Sequence, residues 1–186
     1  MEQRFARASG DAIELRVTDI SQLFNTLDPY PFPERDLDKD AEEFIVSWAR
    51  ELPHNQPLEI VVHLPEAEMK KHNAKDIGAA MNRFFEYRAG LIGRDLKELF
   101  RVGRLSLAIG LAVLAASLAL TQGLSDRPSS SPLGRFFQES LIIVAWVANW
   151  RPIEVFLYDW WPLVRRRNLY RRLAKASVEL RPHTDR

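Results

Sequence analysis

The sequence predicts an α+β protein: a small cytoplasmic domain with a short, about three-stranded sheet, and a long helix that continues into a two-helix transmembrane hairpin. Three observations carry this expectation. Short β-branched-rich runs at residues 13–17 (IELRV) and 58–64 (LEIVVHL) are bounded by Gly, Pro and Asn, as strands are. The stretch from Leu105 to Ser125 holds no charged residue, and a bilayer core of roughly 30 Å needs about 20 helical residues. Between these regions Ile77, Met81, Phe84, Leu91, Leu96, Leu99 and Val102 keep a helical period that runs into the apolar stretch with no stop signal.

Taken in order, residues 1–75 form the cytoplasmic α+β domain. In DLDKDAEEFIVSWARELP, the residues Leu37, Ala41, Phe44, Ile45, Trp48 and Leu52 make the apolar stripe of an amphipathic helix, which Pro53 stops. Asp36, Asp38, Asp40, Glu42 and Glu43 crowd its start, where the helix dipole favours negative charge; they read as a helix start and a solvated face. The run lacks the Asp-x-Asp-x-Asp-Gly pattern of a calcium loop. Residues 76–104 form a helical stalk that begins near Glu66 or Lys75 and bends at Gly90–Gly93. The first transmembrane helix covers 105–124, an external Ser/Pro loop 125–135, and the second transmembrane helix 136–158. Pro152 disfavours helical geometry in the residue before it, so a break or kink is expected near Arg151–Pro152. Either the span ends there and residues 152–163 lie along the interface, the preferred form, or one kinked helix runs on to about Tyr158. Residues 159–186 form a basic interfacial helix and a tail strand: SVELRP echoes IELR and is expected to return to the sheet as its third strand.

Charge sets the orientation. The 186 residues hold 26 Lys+Arg against 25 Asp+Glu, so net charge supplies no reason to bind nucleic acid. Its distribution is uneven. Arg94, Lys97, Arg101 and Arg104 precede the first span, Arg151 stands at the expected break of the second, and Arg165, Arg166, Arg167, Arg171, Arg172 and Lys175 follow it, whereas the linker holds only Arg127 and Arg135. By the positive-inside rule both termini are cytoplasmic. The first residues have no apolar h-region, so no cleaved signal peptide is expected. The absence of cysteine excludes disulfides, Cys-ligated zinc, iron–sulfur clusters and a thiol nucleophile. His54, His63, His72 and His183 stand in no metal-ligand spacing, and no P-loop, G-x-S-x-G or G-x-G-x-x-G occurs. No cofactor and no metal are expected.

Three groups are the candidate functional residues. Glu139, Arg151, Glu154 and Asp159, with Trp150, Trp160 and Trp161, form a polar and aromatic cluster where an interfacial belt belongs; Arg151 and Glu154 are spaced to pair. Arg165, Arg166, Arg167, Arg171 and Arg172 suit an anionic inner leaflet, each cation contributing roughly 1 kcal/mol. Ala108, Ala112, Ala115 and Ala119 form a small-residue stripe for helix packing. The expected partners are therefore membrane lipid and a second copy or another membrane protein, with no nucleic acid.

The segments LDPYPFPERDLDKDAEEFIVSWAREL, RFFEYRAG through GRLSLAIGL, and VAWVANWRPIEVFLYDWWPLVRRRNLYRRL resemble a group of small bacterial inner-membrane proteins of unknown function. The resemblance spans most of residues 11–182 and implies a bacterial two-span membrane protein with cytoplasmic domains. It carries no catalytic residue with it. The functional expectation is a non-enzymatic, membrane-anchored scaffold, accessory or self-associating subunit. A homo-oligomeric transport or channel element is the alternative, and a membrane-bound enzyme without a recognisable motif comes third.

Overall fold

A computed structural model describes residues 12–25, 36–53, 56–71, 73–125 and 132–182. His54, His72, His183 and most of the expected external loop lie outside the described residues. The chain forms two compact units, one from residues 1–92 with 165–186 and one from residues 93–164.

The first unit is built on a three-stranded parallel sheet in the order β1 (Ala12–Arg16), β2 (Glu59–Leu64), β3 (Ser177–Pro182). Ile13 pairs with Ile60, and Ile60 with Val178, so all three strands share one register. The tail strand expected from SVELRP is present. β2 is the central strand, and Ile60, Val61, Val62 and Leu64 are all buried; apolar residues on both its faces are what a sheet covered on both sides requires. Parallel neighbours cannot be joined by a tight turn. The β1–β2 crossover contains a 3₁₀ turn (Ile20–Leu23) and helix α1 (Lys39–Glu51). The β2–β3 crossover is the whole of residues 65–176 and contains the second unit.

Asp38 caps α1, its side chain accepting from the Asp40 amide at 3.0 Å, as the acid-rich start predicts. The buried face of α1 differs from the expected stripe: Ala41, Glu42, Ile45, Val46 and Ala49 are buried, while Phe44 and Trp48 are only half-buried. Glu42, read from sequence as part of a solvated face, is 6% exposed. A short helix α2 (Glu66–Met69) precedes α3, which starts at Ala74 and runs as one 52-residue helix to Ser125, helical through Gly90 and Gly93. Gly78 lets the start of α3 approach the sheet, since a methyl there would sit 3.3 Å from Val178 Cβ of β3. Ile77, Met81 and Phe85 of α3 complete the core with Ile13, Leu15, Ile45 and Leu173.

The second unit pairs the later part of α3 with α4 (Pro132–Glu154), followed by a π-helical turn (Val155–Asp159); the next helix, α5 (Trp160–Leu173), starts here and ends in the first unit. The helix does not end at Arg151–Pro152 but runs on past it, as in the second of the two expected forms. Pro152 lies buried inside α4, and the irregularity follows it as the π turn. Proline removes one amide donor and crowds the carbonyl four residues back, which costs a helix stability without having to end it. Two helical segments, residues 74–123 and 139–173, are long and apolar enough to cross a membrane.

Candidate functional site

Glu42 is the hub of a polar cluster inside the first unit. Arg88 Nη2 on α3 donates to Glu42 Oε2 at 2.5 Å, and Tyr170 Oη on α5 donates to Glu42 Oε1 at 2.7 Å. Both carboxylate oxygens are thus satisfied, as a buried charge demands. The flanking rings seal the cluster: Phe85 lies 6.1 Å from the Tyr170 ring, Arg88 sits over Phe84 at 5.3 Å, and Arg166 sits over Tyr170 at 5.7 Å. Burial pushes the Tyr170 hydroxyl above the ordinary tyrosine value, and donation to Glu42 adds to this against the lowering effect of Arg166. Burial opposes the charge on Arg88, but the hydrogen bond and field of Glu42 prevail and raise its pKa.

Above this cluster opens a cleft of about 330 Å³, and its charged walls are Lys39, Glu42, Glu43, Arg50, Arg88 and Arg166. Glu42 is engaged by Arg88, and Glu43 lies 3.9 Å from Lys39. Arg50 and Arg166, on α1 and α5, have no carboxylate partner among the described residues.

In the second unit the expected Arg151–Glu154 pair forms at 2.9 Å, and Asp159 joins it at 3.2 Å from the same guanidinium. Asp159 is the last residue of the π turn. Trp150 stacks on Trp146 with centroids 6.4 Å apart, and Trp160 donates to the Phe156 carbonyl at 2.9 Å beside Trp161. Glu139 is exposed and stands apart from the cluster among the described residues.

Two groups of predicted residues are placed differently. Ala108, Ala112, Ala115 and Ala119 are exposed. The buried small residues of this part of α3 are instead Gly103, Gly110 and Ser117, one every seventh position, with Gly110 against α4 and Gly103 against the π turn that follows it. A methyl at Gly110 would lie 2.7 Å from Asn149 Oδ1 and 3.0 Å from the Ala148 carbonyl oxygen. The close approach lets Asn149 Nδ2 donate to the Gly110 carbonyl at 3.1 Å as well as to Ala145 at 2.9 Å. Both stripes are small and both recur at seven-residue spacing, so neither property selects the face; the close approach of Asn149 at Gly110 and of Val155 at Gly103 marks the one that packs. Of the five arginines assigned to a lipid surface, Arg172 instead donates to the Pro53 and Gln56 carbonyls and ties the loop before β2 to α5. Arg167 is half-buried, whereas Arg165, Arg166 and Arg171 are exposed.

Glu42, Arg88 and Tyr170 were not singled out from sequence. The available signal was a carboxylate bracketed by Ala41, Ile45, Val46 and Ala49, which lie one, three, four and seven residues away along the helix. His63 sits 3.7 Å from Glu14 on the neighbouring strand. Among the described residues no group of three His, Asp or Glu is arranged to hold a metal ion. No family model, no curated protein and no solved structure matches the chain.

Proposed function

We propose that the chain is a two-span protein of the bacterial cytoplasmic membrane, both ends cytoplasmic, acting as a non-enzymatic anchored scaffold or accessory subunit. The observation that carries the reading is the pairing of β3 with β2. These strands lie after the second apolar helix and before the first, yet they share one sheet. Two segments hydrogen-bonded to each other occupy the same side of a bilayer, so the intervening chain crosses an even number of times. The most apolar 18-residue windows of the two helical segments are only 11% and 17% buried, unlike the core helix of a soluble domain. The excess of Lys and Arg flanking the pair, against two in the linker, supports the cytoplasmic assignment. The Arg151, Glu154 and Asp159 charges pair with one another, which favours an anchoring role at the interface. The basic sequence of α5 and the resemblance to small bacterial inner-membrane proteins agree with this reading.

The lack of native cysteine makes the test direct. Ser129→Cys is expected to react with a membrane-impermeant maleimide in intact cells, and Ser47→Cys only after lysis. Equal labelling of both in intact cells refutes the topology. Mild detergent extraction followed by native mass measurement tests the role: a homo-oligomer or a stoichiometric foreign subunit supports it, and a lone monomer refutes it.

A further inference from the structure

We infer that the cleft between α1, α3 and α5 is a seat for a phosphate-bearing anion. The argument begins with charge. Four cations, Lys39, Arg50, Arg88 and Arg166, face two carboxylates across about 330 Å³. Glu42 is held by Arg88 and Tyr170, and Glu43 stands 3.9 Å from Lys39. The remainder is two positive charges, Arg50 and Arg166, on two different helices and therefore on different walls of the cleft. Two guanidinium groups without carboxylate partners suit an anionic phosphate group, and the planar fork of arginine fits phosphate oxygens in pairs. Ser47 also lines the cleft and adds a hydroxyl donor. The Glu42 cluster beneath serves as the floor: it holds α1, α3 and α5 together, so Arg50 and Arg166 are presented from elements already locked to one another rather than from a mobile tail. This arrangement distinguishes the cleft from the exposed Arg165 and Arg171 on the same helix, which are not among its lining residues.

The shared chemistry is a phosphate group, whether of an anionic lipid or of a soluble compound. The seat lies wholly in the first unit and holds without the membrane reading; only the lipid source rests on that reading. Arg50→Gln and Arg166→Gln keep Glu42 held by Arg88 and Tyr170, although the second removes the Arg166 contact over the Tyr170 ring, and circular dichroism checks that the fold is intact. The full chain in dodecyl maltoside micelles is titrated by calorimetry with inorganic phosphate, and separately offered dioleoyl phosphatidylglycerol or dioleoyl phosphatidylcholine under native mass spectrometry. Each substitution is expected to weaken binding about tenfold, as loss of one charge-assisted contact does, while Arg171→Gln leaves it unchanged. Selective retention of phosphatidylglycerol that both variants lose assigns a lipid headgroup. Inorganic phosphate binding that both variants lose, with no preference between the lipids, assigns a soluble phosphate. Equal effects from Arg50, Arg166 and Arg171, or binding of neither probe, overturn the inference.

Discussion

The glycines of α3 predict opposite responses to the same substitution. Glycine in a helix interior costs about 0.8–1 kcal/mol relative to alanine, so replacement stabilises wherever space exists. At Gly123 no side chain or partner backbone of the described residues lies within 4 Å of the added methyl, and Gly123→Ala is expected to gain up to about 1 kcal/mol. At Gly110 the methyl would stand 2.7 Å from Asn149 Oδ1 and 3.0 Å from the Ala148 carbonyl oxygen. The Asn149 side chain has freedom to swing away, but the backbone carbonyl does not, so α3 and α4 must separate by several tenths of an ångström. Overpacking of this kind costs about 1–3 kcal/mol. The Asn149–Gly110 hydrogen bond, already 3.1 Å long, is lost in the process, and interhelical bonds between apolar helices contribute about 0.6–1.7 kcal/mol. The net expectation for Gly110→Ala is destabilisation of about 1–3 kcal/mol after the propensity gain is subtracted. Gly103→Ala should behave likewise, its methyl falling 2.6 Å from Cγ1 of the fully buried Val155. Sodium dodecyl sulfate titration of the detergent-solubilised chain, followed by tryptophan fluorescence from Trp146 and Trp150, measures all three. If Gly110→Ala unfolds at the same surfactant fraction as Gly123→Ala or later, the close packing of α3 on α4 is refuted.

Other consequences follow from the first unit. Tyr170→Phe removes the donor to Glu42 Oε1 and is expected to lower stability by about 1.5–3 kcal/mol, the worth of a hydrogen bond to a charged group; an unchanged thermal midpoint would contradict the cluster. The same residue sets an alkaline limit. Its folded-state pKa lies above the ordinary value, so the stability it confers is complete below about pH 10 and is lost as pH rises through the folded value. Thermal melts across that range should show a decline in the native chain that Tyr170→Phe lacks. Leu173 is fully buried, and Leu173→Ala is expected to cost about 2–5 kcal/mol, whereas Lys175→Ala, at an exposed position two residues on, should stay within about 0.5 kcal/mol. Arg172→Gln frees the carbonyls of Pro53 and Gln56 and should speed proteolysis in the 53–57 loop, with N-terminal sequencing of the fragments locating the cut.

Much of this architecture is legible in local pattern. The strands at Ile13 and Ile60, the Asp38 cap, the uninterrupted period from Ile77 into the apolar run, and the tail strand at Val178 all follow from periodicity and capping, which depend on residues a few positions apart. The Arg151–Glu154 pair was readable for the same reason, because three residues along a helix place two side chains on one face. Asp159, eight residues from Arg151 and at the end of the π turn, joins that pair at a spacing no helical pairing rule covers.

Partnership between distant segments was decided elsewhere. Whether Glu42 faces water or the interior depends on which side of α1 meets Arg88 and Tyr170, residues 46 and 128 positions away, and a carboxylate at a helix start satisfies the dipole in either orientation. Alanine and glycine stripes on α3 are equivalent as sequence; the one that packs is the one whose absent side chains admit Asn149 and Val155. Pro152 reads as a break because its lost hydrogen bond is counted alone, whereas in the fold Pro152 is buried inside a helix that runs on past it. The sequence by itself determined the elements and their apolar faces, since those are local consequences of side-chain period. Only the tertiary structure decided which faces meet, because burial is a property of two surfaces and each surface carries information about one.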